Sequence, residues 1–244
     1  MVSKIKTPNK MQNTQDVITL SIPEIITASE FIRRWRDGTP SQTPSLGVIL
    51  TISNIKVEER INVTEIDSQL QRVLFLNVTL SDISIGKCQT EEITFQNSTI
   101  GSLGFGGTKL GGIWISDTRV RYMSFILSTV RDFTIVNRSI VGDIRIKTSN
   151  INKIVLAVDS TAGYLVMHNW SKIGSVSIYS KATIGDIMID HAEVEALSIV
   201  NSITGRIEIN AISTGDININ DCQVEGFVFI KNIKCTTIDR KSVV

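Results

Sequence analysis

Histidine and cysteine, on which most metal sites and many nucleophilic sites depend, are scarce in this chain. Its 244 residues include two histidines and three cysteines. His168 and His191 have no Cys, Asp or Glu at the spacing typical of a metal site. We therefore predict no metal site, no cofactor and no catalytic residue, and we interpret both histidines as surface residues at turns.

A charge excess of one sign is also missing. The chain has 25 basic and 24 acidic residues, for a net charge of +1. Proteins that bind nucleic acids through the phosphate backbone usually have a clear excess of Lys and Arg. The balance argues against nucleic-acid binding, and equally against a strongly acidic mimic of DNA.

Long apolar runs are absent as well. No stretch reaches the roughly 18 consecutive apolar residues of a membrane-spanning helix. Residues 1–16 have no apolar core of the kind found in a signal peptide. Cys88 and Cys222 fall at small inward positions many coils apart in the repeat described next, so they cannot bridge, which fits a reducing compartment. These features predict a cytoplasmic protein without a transmembrane segment.

What the chain has in abundance is a five-residue repeat, which runs from Ser68 to Lys231. The third residue of almost every block is apolar, and the first alternates between small or polar and large apolar. Side chains alternate along a strand, so the first and third residues share the inward face and the second points outward. Such a fixed period is the signature of a stacked repeat, and it excludes an α-helix. The repeat frame slips by one residue at four places, near Ser139–Asp143, Asp159–Tyr164, Trp170 and Lys181. Beyond the last slip, the frame predicts that Val228 points outward.

A second period of twenty residues sets the expected coil length. The last residue of every fourth block is mostly Asn or Asp, which tolerate the left-handed backbone of tight turns. These residues are Asn77, Asn97, Asp117, Asn137, Val158, Ser180, Asn201 and Asp221. We predict an all-β fold, a single-stranded parallel β-solenoid of about eight coils of about 20 residues each. Four short sides per coil are expected, and a three-sided β-helix is the alternative.

Two known families have similar repeat patterns. Blocks such as Ser98-Thr-Ile-Gly-Ser and Ala192-Glu-Val-Glu-Ala resemble the pentapeptide-repeat family of right-handed quadrilateral β-helices, although that family favours Leu or Phe where this chain has Ile and Val. A second resemblance is to sequence motifs of the bactofilins, which are polymer-forming β-helical proteins. It is found in Gly142-Asp-Ile-Arg-Ile, Gly185-Asp-Ile-Met-Ile and Gly215-Asp-Ile-Asn-Ile. The resemblances imply a right-handed coil, as does the general bias of parallel crossovers. Neither family has catalytic residues to transfer.

The ends of the chain depart from the repeat. We divide it into an N-terminal tail and linker (1–46), an irregular first coil (47–67), the β-solenoid (68–231) and a C-terminal tail (232–244). Within the first segment, Val17–Ile22 predicts a short strand that stops at Pro23, and residues 27–37 predict a capped helix.

The predicted helix has an apolar face. Phe31, Ile32 and Trp35 are expected to cover the first coil of the solenoid, because open strand edges invite aggregation. The alternative is an amphipathic helix that docks on a partner or a membrane surface. The C-terminal edge is expected to be open, to pair with a second copy or to continue into a longer chain.

One stretch of outward residues stands out. Trp, Tyr and Arg are enriched in interface hot spots, and contiguous exposed apolar residues usually mark an interface. We therefore predict a partner-binding surface, with a mixed solvated wall as the alternative. Its residues are Trp114, Arg119, Arg121, Tyr122 and Arg131.

Two other patterns receive structural interpretations. The glycine-rich run Gly101–Gly112 lacks the Gly-Lys-Ser/Thr ending of a phosphate loop, so its glycines are assigned to tight corners, or to a close approach by another chain. The acidic residues Asp186, Asp190, Glu193 and Glu195 are interpreted as a solvated patch and not as acid–base catalysts.

The chain is thus predicted to be a non-catalytic scaffold, a rigid rod that presents a lateral surface to a protein partner. The alternative is a self-assembling structural protein, for which a homo-oligomer is expected. A carbohydrate-active β-helix is a third hypothesis, which the missing signal peptide and carboxylate cleft disfavour.

Overall fold

A computed structural model describes residues 17–37, 49–64, 72–211, 213–231 and 238–243. The described chain is nearly all β and forms one parallel β-solenoid of about eight turns of ~21 residues, as the sequence predicts. The elements in chain order are β1 Val17–Ile25, α1 Ala28–Asp37, β2 Ile49–Thr64, β3 Arg72–Leu76, β4 Thr79–Gly86, β5 Gln89–Gln96, β6 Thr99–Gly106, β7 Lys109–Ser116, β8 Arg119–Ile126, β9 Thr129–Val136, β10 Ile140–Lys147, β11 Asn150–Leu156, β12 Thr161–His168, β13 Lys172–Ile178, β14 Thr183–Asp190, β15 Glu193–Val200, β16 Ile203–Thr204, β17 Ile207–Asn210, β18 Ser213–Val224, β19 Val228–Lys231 and β20 Ile238–Val243.

Each coil contributes strands to two stacks. The first stack runs through β3, β5, β7, β9, β11, β13, β15, β18 and β20. The second runs through β4, β6, β8, β10, β12 and β14, then β17 and β19. The long strand β2 pairs with β1 on one side and with both β3 and β4 on the other, so it begins both stacks.

Each coil has four short sides, each with two inward side chains. In the coil of residues 78–97 the sides are A (78–80), B (83–85), C (88–90) and D (93–95), and the same names apply to the equivalent residues of every coil. The corners between them are AB (81–82), BC (86–87), CD (91–92) and DA (96–97). The first and third residues of all four sides are buried, namely Val78, Leu80, Ile83, Ile85, Cys88, Thr90, Ile93 and Phe95.

The twenty-residue period corresponds to corner DA. All eight residues that the period identifies have left-handed backbone, with φ between 48° and 57°. Corner BC is left-handed too, for example at Lys87, Gly107 and Leu127. Left-handed corners therefore recur every ten residues, while corners AB and CD are turned without positive φ.

The predicted frame slips are corners with one extra residue. Each has two consecutive left-handed residues, at 137–138, 158–159, 169–170 and 180–181. The first lies slightly upstream of its predicted place. As the corners lengthen, the register offset grows from 20 residues (Gly112 opposite Asp132) to 22 (Asn150 opposite Lys172).

A further slip, which the sequence frame missed, precedes β19. Val228 lies opposite the inward residue Ile207, and Phe229 lies opposite the outward residue Glu208. The expectation that Val228 points outward was therefore wrong. Phe227 and Phe229 are instead exposed, and the guanidinium of Arg206 lies 5.6 Å from the ring centre of Phe227.

Two ladders of buried hydroxyl groups explain why every second block begins with a small polar residue. On side A, Ser98 Oγ accepts a hydrogen bond from the Val78 amide (3.2 Å), and the Ser98 amide donates to Thr118 Oγ1 (3.2 Å). On side C, the Ser128 amide donates in the same way to Ser149 Oγ (3.1 Å). At these positions the hydroxyls satisfy the backbone donors that follow a left-handed corner.

Close approach between coils explains the glycines at corners AB and CD. A Cβ at Gly101 would lie 1.9 Å from the Ser81 carbonyl oxygen, and a Cβ at Gly111 would lie 2.4 Å from that of Glu91. The glycine-rich run thus carries glycine where the preceding coil leaves no space for a side chain.

The N-terminal end differs in detail from the predicted tail. Strand β1 continues past Pro23 to Ile25, and a register shift between Ser21 and Glu24 accommodates the proline. The expected stop at Pro23 was therefore wrong. β2, which lies in the segment expected to be irregular, is a continuous strand of 16 residues.

Helix α1 follows β1 and packs on the core. The Phe31 and Trp35 rings are buried, with centroids 6.3 Å and 5.5 Å from that of Phe75 on β3. Ile32 is partly buried against the same core. The Ala28 amide donates to the Glu59 carboxylate (2.9 Å), which anchors the start of the helix. No helix in the described ranges is long and apolar enough to cross a membrane.

The C-terminal region contains a strand where a tail was expected. β20 pairs with β18 beyond the end of the five-residue frame. The expected tail at residues 1–16 and the linker at 38–46 lie outside the described residues.

Candidate functional site

The five residues of the predicted surface lie in two places. Trp114 is on side D and Arg131 is at corner CD, both in the first stack. Arg119 is on side A, and Arg121 and Tyr122 are at corner AB, all on β8 in the second stack. Corners AB and CD are diagonally opposite in a four-sided coil. The structure therefore brings Trp114 and Arg131 together and places the other three elsewhere.

Trp114 and Arg131 line a groove of ≈ 280 Å³ at corner CD. Its shape follows from the glycines: Gly111 and Gly112 have no side chains, so this coil is recessed between the coil of Glu91 and the coil of Arg131. The Trp114 indole stands beside the recess, 46% exposed, with Thr94 and Thr134 as its register neighbours. We call this feature the Trp114 groove.

Some of the charged groups in the Trp114 groove are paired. The Glu92 carboxylate accepts hydrogen bonds from Arg72 (2.8 Å) and Thr94 Oγ1 (3.0 Å), and it raises the pKa of the Arg72 guanidinium. Arg131 Nε donates to Asp132 (3.0 Å). Both of these carboxylates are therefore held by neighbouring arginine side chains.

Two further charged residues, Glu91 and Lys153, line the groove. The negative charge of Glu91 adds to that of Glu92 in raising the pKa of the Arg72 guanidinium. Lys153 forms no ion pair within the part of the chain that the structure describes. Neither was among the residues predicted for the surface. The five-residue frame contains the signal, because it assigns residues 91–92, 111–112, 131–132 and 152–153 to the same corner on successive coils.

The second group of predicted residues has its own neighbours. Arg121 lies 4.0 Å from Asp82 across two coils, and the Arg145 guanidinium lies 5.6 Å from the ring centre of Tyr122. Arg119 is exposed on side A between Thr99 and Ile140. None of these three residues lines the Trp114 groove.

The acidic residues near His191 do not form a cluster. Asp186 bonds Arg206, Asp190 lies 2.8 Å from His191 Nδ1, and Glu193 pairs with Lys172, each at a different corner or side. No three His, Cys, Asp or Glu side chains in the described ranges are grouped as metal ligands.

The buried thiols are packed within the core. Cys88 and Cys222 are free and buried, and burial raises the pKa of Cys88 to about 11. A thiol with a raised pKa is mostly protonated at neutral pH, which is the unreactive form.

Comparison with protein-family models, with curated proteins and with solved structures finds no match to this chain. The resemblances to pentapeptide-repeat proteins and bactofilins therefore remain predictions, while the β-solenoid itself is a property of the structure.

Proposed function

We propose that the chain is a non-catalytic scaffold, a rigid rod that presents the Trp114 groove to a protein partner. Eight coils at about 4.8 Å each give a rod roughly 38 Å long. The observation that carries the proposal is the groove itself, with its half-exposed indole and the charged residues Glu91 and Lys153 in its lining. Buried aromatic and arginine contacts dominate many interfaces, so Trp114 and Arg131 are the expected anchors.

The charged residues of the Trp114 groove indicate which side chains a complementary partner would have. Glu91 and Lys153 lie three coils apart, or about 14 Å along the rod. A segment with one basic and one acidic side chain, separated by an apolar group over Trp114, would complement the groove. Such complementarity contributes specificity and association rate more than affinity.

The first experiment is capture from lysate on immobilised full-length protein, with Trp114→Ser as the test variant. Trp170→Ser is the matched control, because Trp170 is also exposed but lies at corner BC. The proposal predicts a protein retained by the wild type and by the control and lost with Trp114→Ser. Identical capture by all three would overturn it.

Self-association is a second candidate with its own support. Val228 and Ile230 occupy inward positions of the last described coil but are only partly buried. At the other end, α1 packs its aromatic residues on Phe75. A second copy could bury the partly exposed side chains of Val228 and Ile230, which favours a pair of rods joined through residues 228–230. Light scattering over a wide concentration range distinguishes a monomer, a dimer and a growing fibre.

A further inference from the structure

Corner BC carries two large apolar side chains where the backbone disfavours them. Leu127 and Trp170 have φ of 54° and 64°, and they are 66% and 70% exposed. Gly107, at the equivalent place one coil before Leu127, has a φ of 64°. Bulky L-residues are uncommon in the left-handed region, and strained residues that persist often mark functional sites. Here both the conformation and the exposure of apolar surface are unfavourable.

The two side chains lie on one ridge. The Leu127 amide donates to the Lys147 carbonyl, and the Trp170 amide donates to the His191 carbonyl, which stacks the corner coil on coil. Leu127 and Trp170 are two coils apart, about 10 Å along the rod. Ile126, 46% exposed, adds a third apolar side chain beside Leu127.

The ridge is basic along its length. Lys87 and Lys147 belong to corner BC, and Lys109 points outward from the adjoining side C. Lys172 also points outward from side C, but its Nζ pairs with Glu193 of the next coil (3.0 Å). From residue 86 to residue 172, corner BC and the outward positions of side C contain no acidic residue. The first acid there is Asp190, which hydrogen-bonds Asn210 (2.9 Å). This segregation stands out in a chain with a net charge of only +1.

We propose that this ridge docks the rod on the surface of an anionic lipid bilayer, with the rod axis parallel to the membrane. Leu127 and Trp170 would enter the boundary between headgroups and acyl chains, where Trp is enriched, and Lys109 and Lys147 would contact lipid phosphates. A lipid surface fits because the ridge is convex, whereas a protein partner would need a matching groove. The Trp114 groove, at corner CD and side D, is separated from corner BC by side C.

The test is flotation of the full chain with phosphatidylcholine vesicles that do or do not contain phosphatidylserine. Binding is expected only to the anionic vesicles, and it should weaken as salt is added. The double variant Leu127→Asn and Trp170→Asn should lose roughly tenfold or more of that binding. Asn tolerates the left-handed region, so the variant is expected to fold, which circular dichroism and its melting temperature will check.

The control is Val158→Asn, which makes the same kind of change at corner DA. Val158 has a φ of 56° and is 43% exposed, but it lies on the other left-handed corner. Vesicle binding by this variant and by Trp114→Ser should equal that of the wild type. Lys109→Gln and Lys147→Gln should each weaken binding about fivefold.

Three outcomes would overturn the proposal. They are no binding of the wild type to anionic vesicles, equal binding with and without phosphatidylserine, and an equal loss of binding in Val158→Asn. Tryptophan emission gives an independent readout: a blue shift on anionic vesicles should occur in the wild type and be absent from Trp170→Asn.

Discussion

Gly142 lies against the carbonyl oxygen of Arg121 on the preceding coil, where a Cβ would be 2.0 Å from that oxygen. The contact is to backbone, which cannot move aside without shifting the coil. Gly142→Ala should therefore destabilise the fold, by about 3 kcal/mol on the scale of overpacked interiors. Chemical denaturation measures the change. Gly106→Ala is the matched control, since a Cβ there meets nothing within 4 Å, and its effect should be within about 0.5 kcal/mol.

Val158 is a β-branched residue in left-handed backbone, whereas the same column has Asn at 77, 97 and 201. Val158→Asn should stabilise the protein by about 1 kcal/mol, because it relieves steric strain between Cβ and the carbonyl oxygen. The reverse change, Asn97→Val, should destabilise it by a similar amount. Opposite shifts in melting temperature would support this account of the corners, and equal shifts would contradict it.

The hydroxyl ladder on side A offers a paired test. Ser139 Oγ donates to the Val136 carbonyl (2.6 Å) and accepts from the Thr118 amide (3.3 Å), so Ser139→Ala should cost about 1–2 kcal/mol. Ser160 occupies the next place in the column, and its buried Oγ has no partner among the described residues. Ser160→Ala should be neutral or stabilising. If the two variants unfold at the same denaturant concentration, hydrogen bonding along the ladder does not explain the small polar residues on this side.

Helix α1 should matter for stability because it covers aromatic surface. Trp35→Ala would remove a buried ring 5.5 Å from Phe75, and a loss of about 3–4 kcal/mol is expected. Arg33→Ala is the control, since its ion pair with Glu30 is exposed and should contribute little to stability. Urea unfolding of both variants measures the change in the free energy of unfolding. A loss in Trp35→Ala alone shows that the helix stabilises the fold by packing on the core, and no loss in either variant would contradict this.

Much of the fold could be predicted because one face of every side is buried. The first and third residues of each block must be apolar or small, and Asn77, Asn97 and Asp117 identify the left-handed corner by their chemistry. The register before β19 could not be predicted this way. Phe227, Val228, Phe229 and Ile230 are all apolar, so two frames one residue apart bury equally plausible pairs, and register is weakly specified there.

Which of the five predicted residues lie together could not be predicted from the sequence, because neighbours in sequence are separated by a corner. Trp114 and Arg119 are five residues apart, but the left-handed turn at Asp117 sends the chain from side D to side A. Arg131 is seventeen residues from Trp114 and yet lines the same groove. Coil-to-coil register, and not distance along the chain, decides which outward residues meet.

The scaffold proposal depends most directly on Trp114 and Arg131, so the decisive measurement is the affinity of a purified partner for wild type and variants. Trp114→Ser and Arg131→Ala should each weaken binding by roughly tenfold or more, as expected for hot-spot residues. Arg119→Ala, an exposed arginine outside the groove, should bind like the wild type. Equal affinities for all four proteins, or a loss confined to Arg119→Ala, would contradict the account.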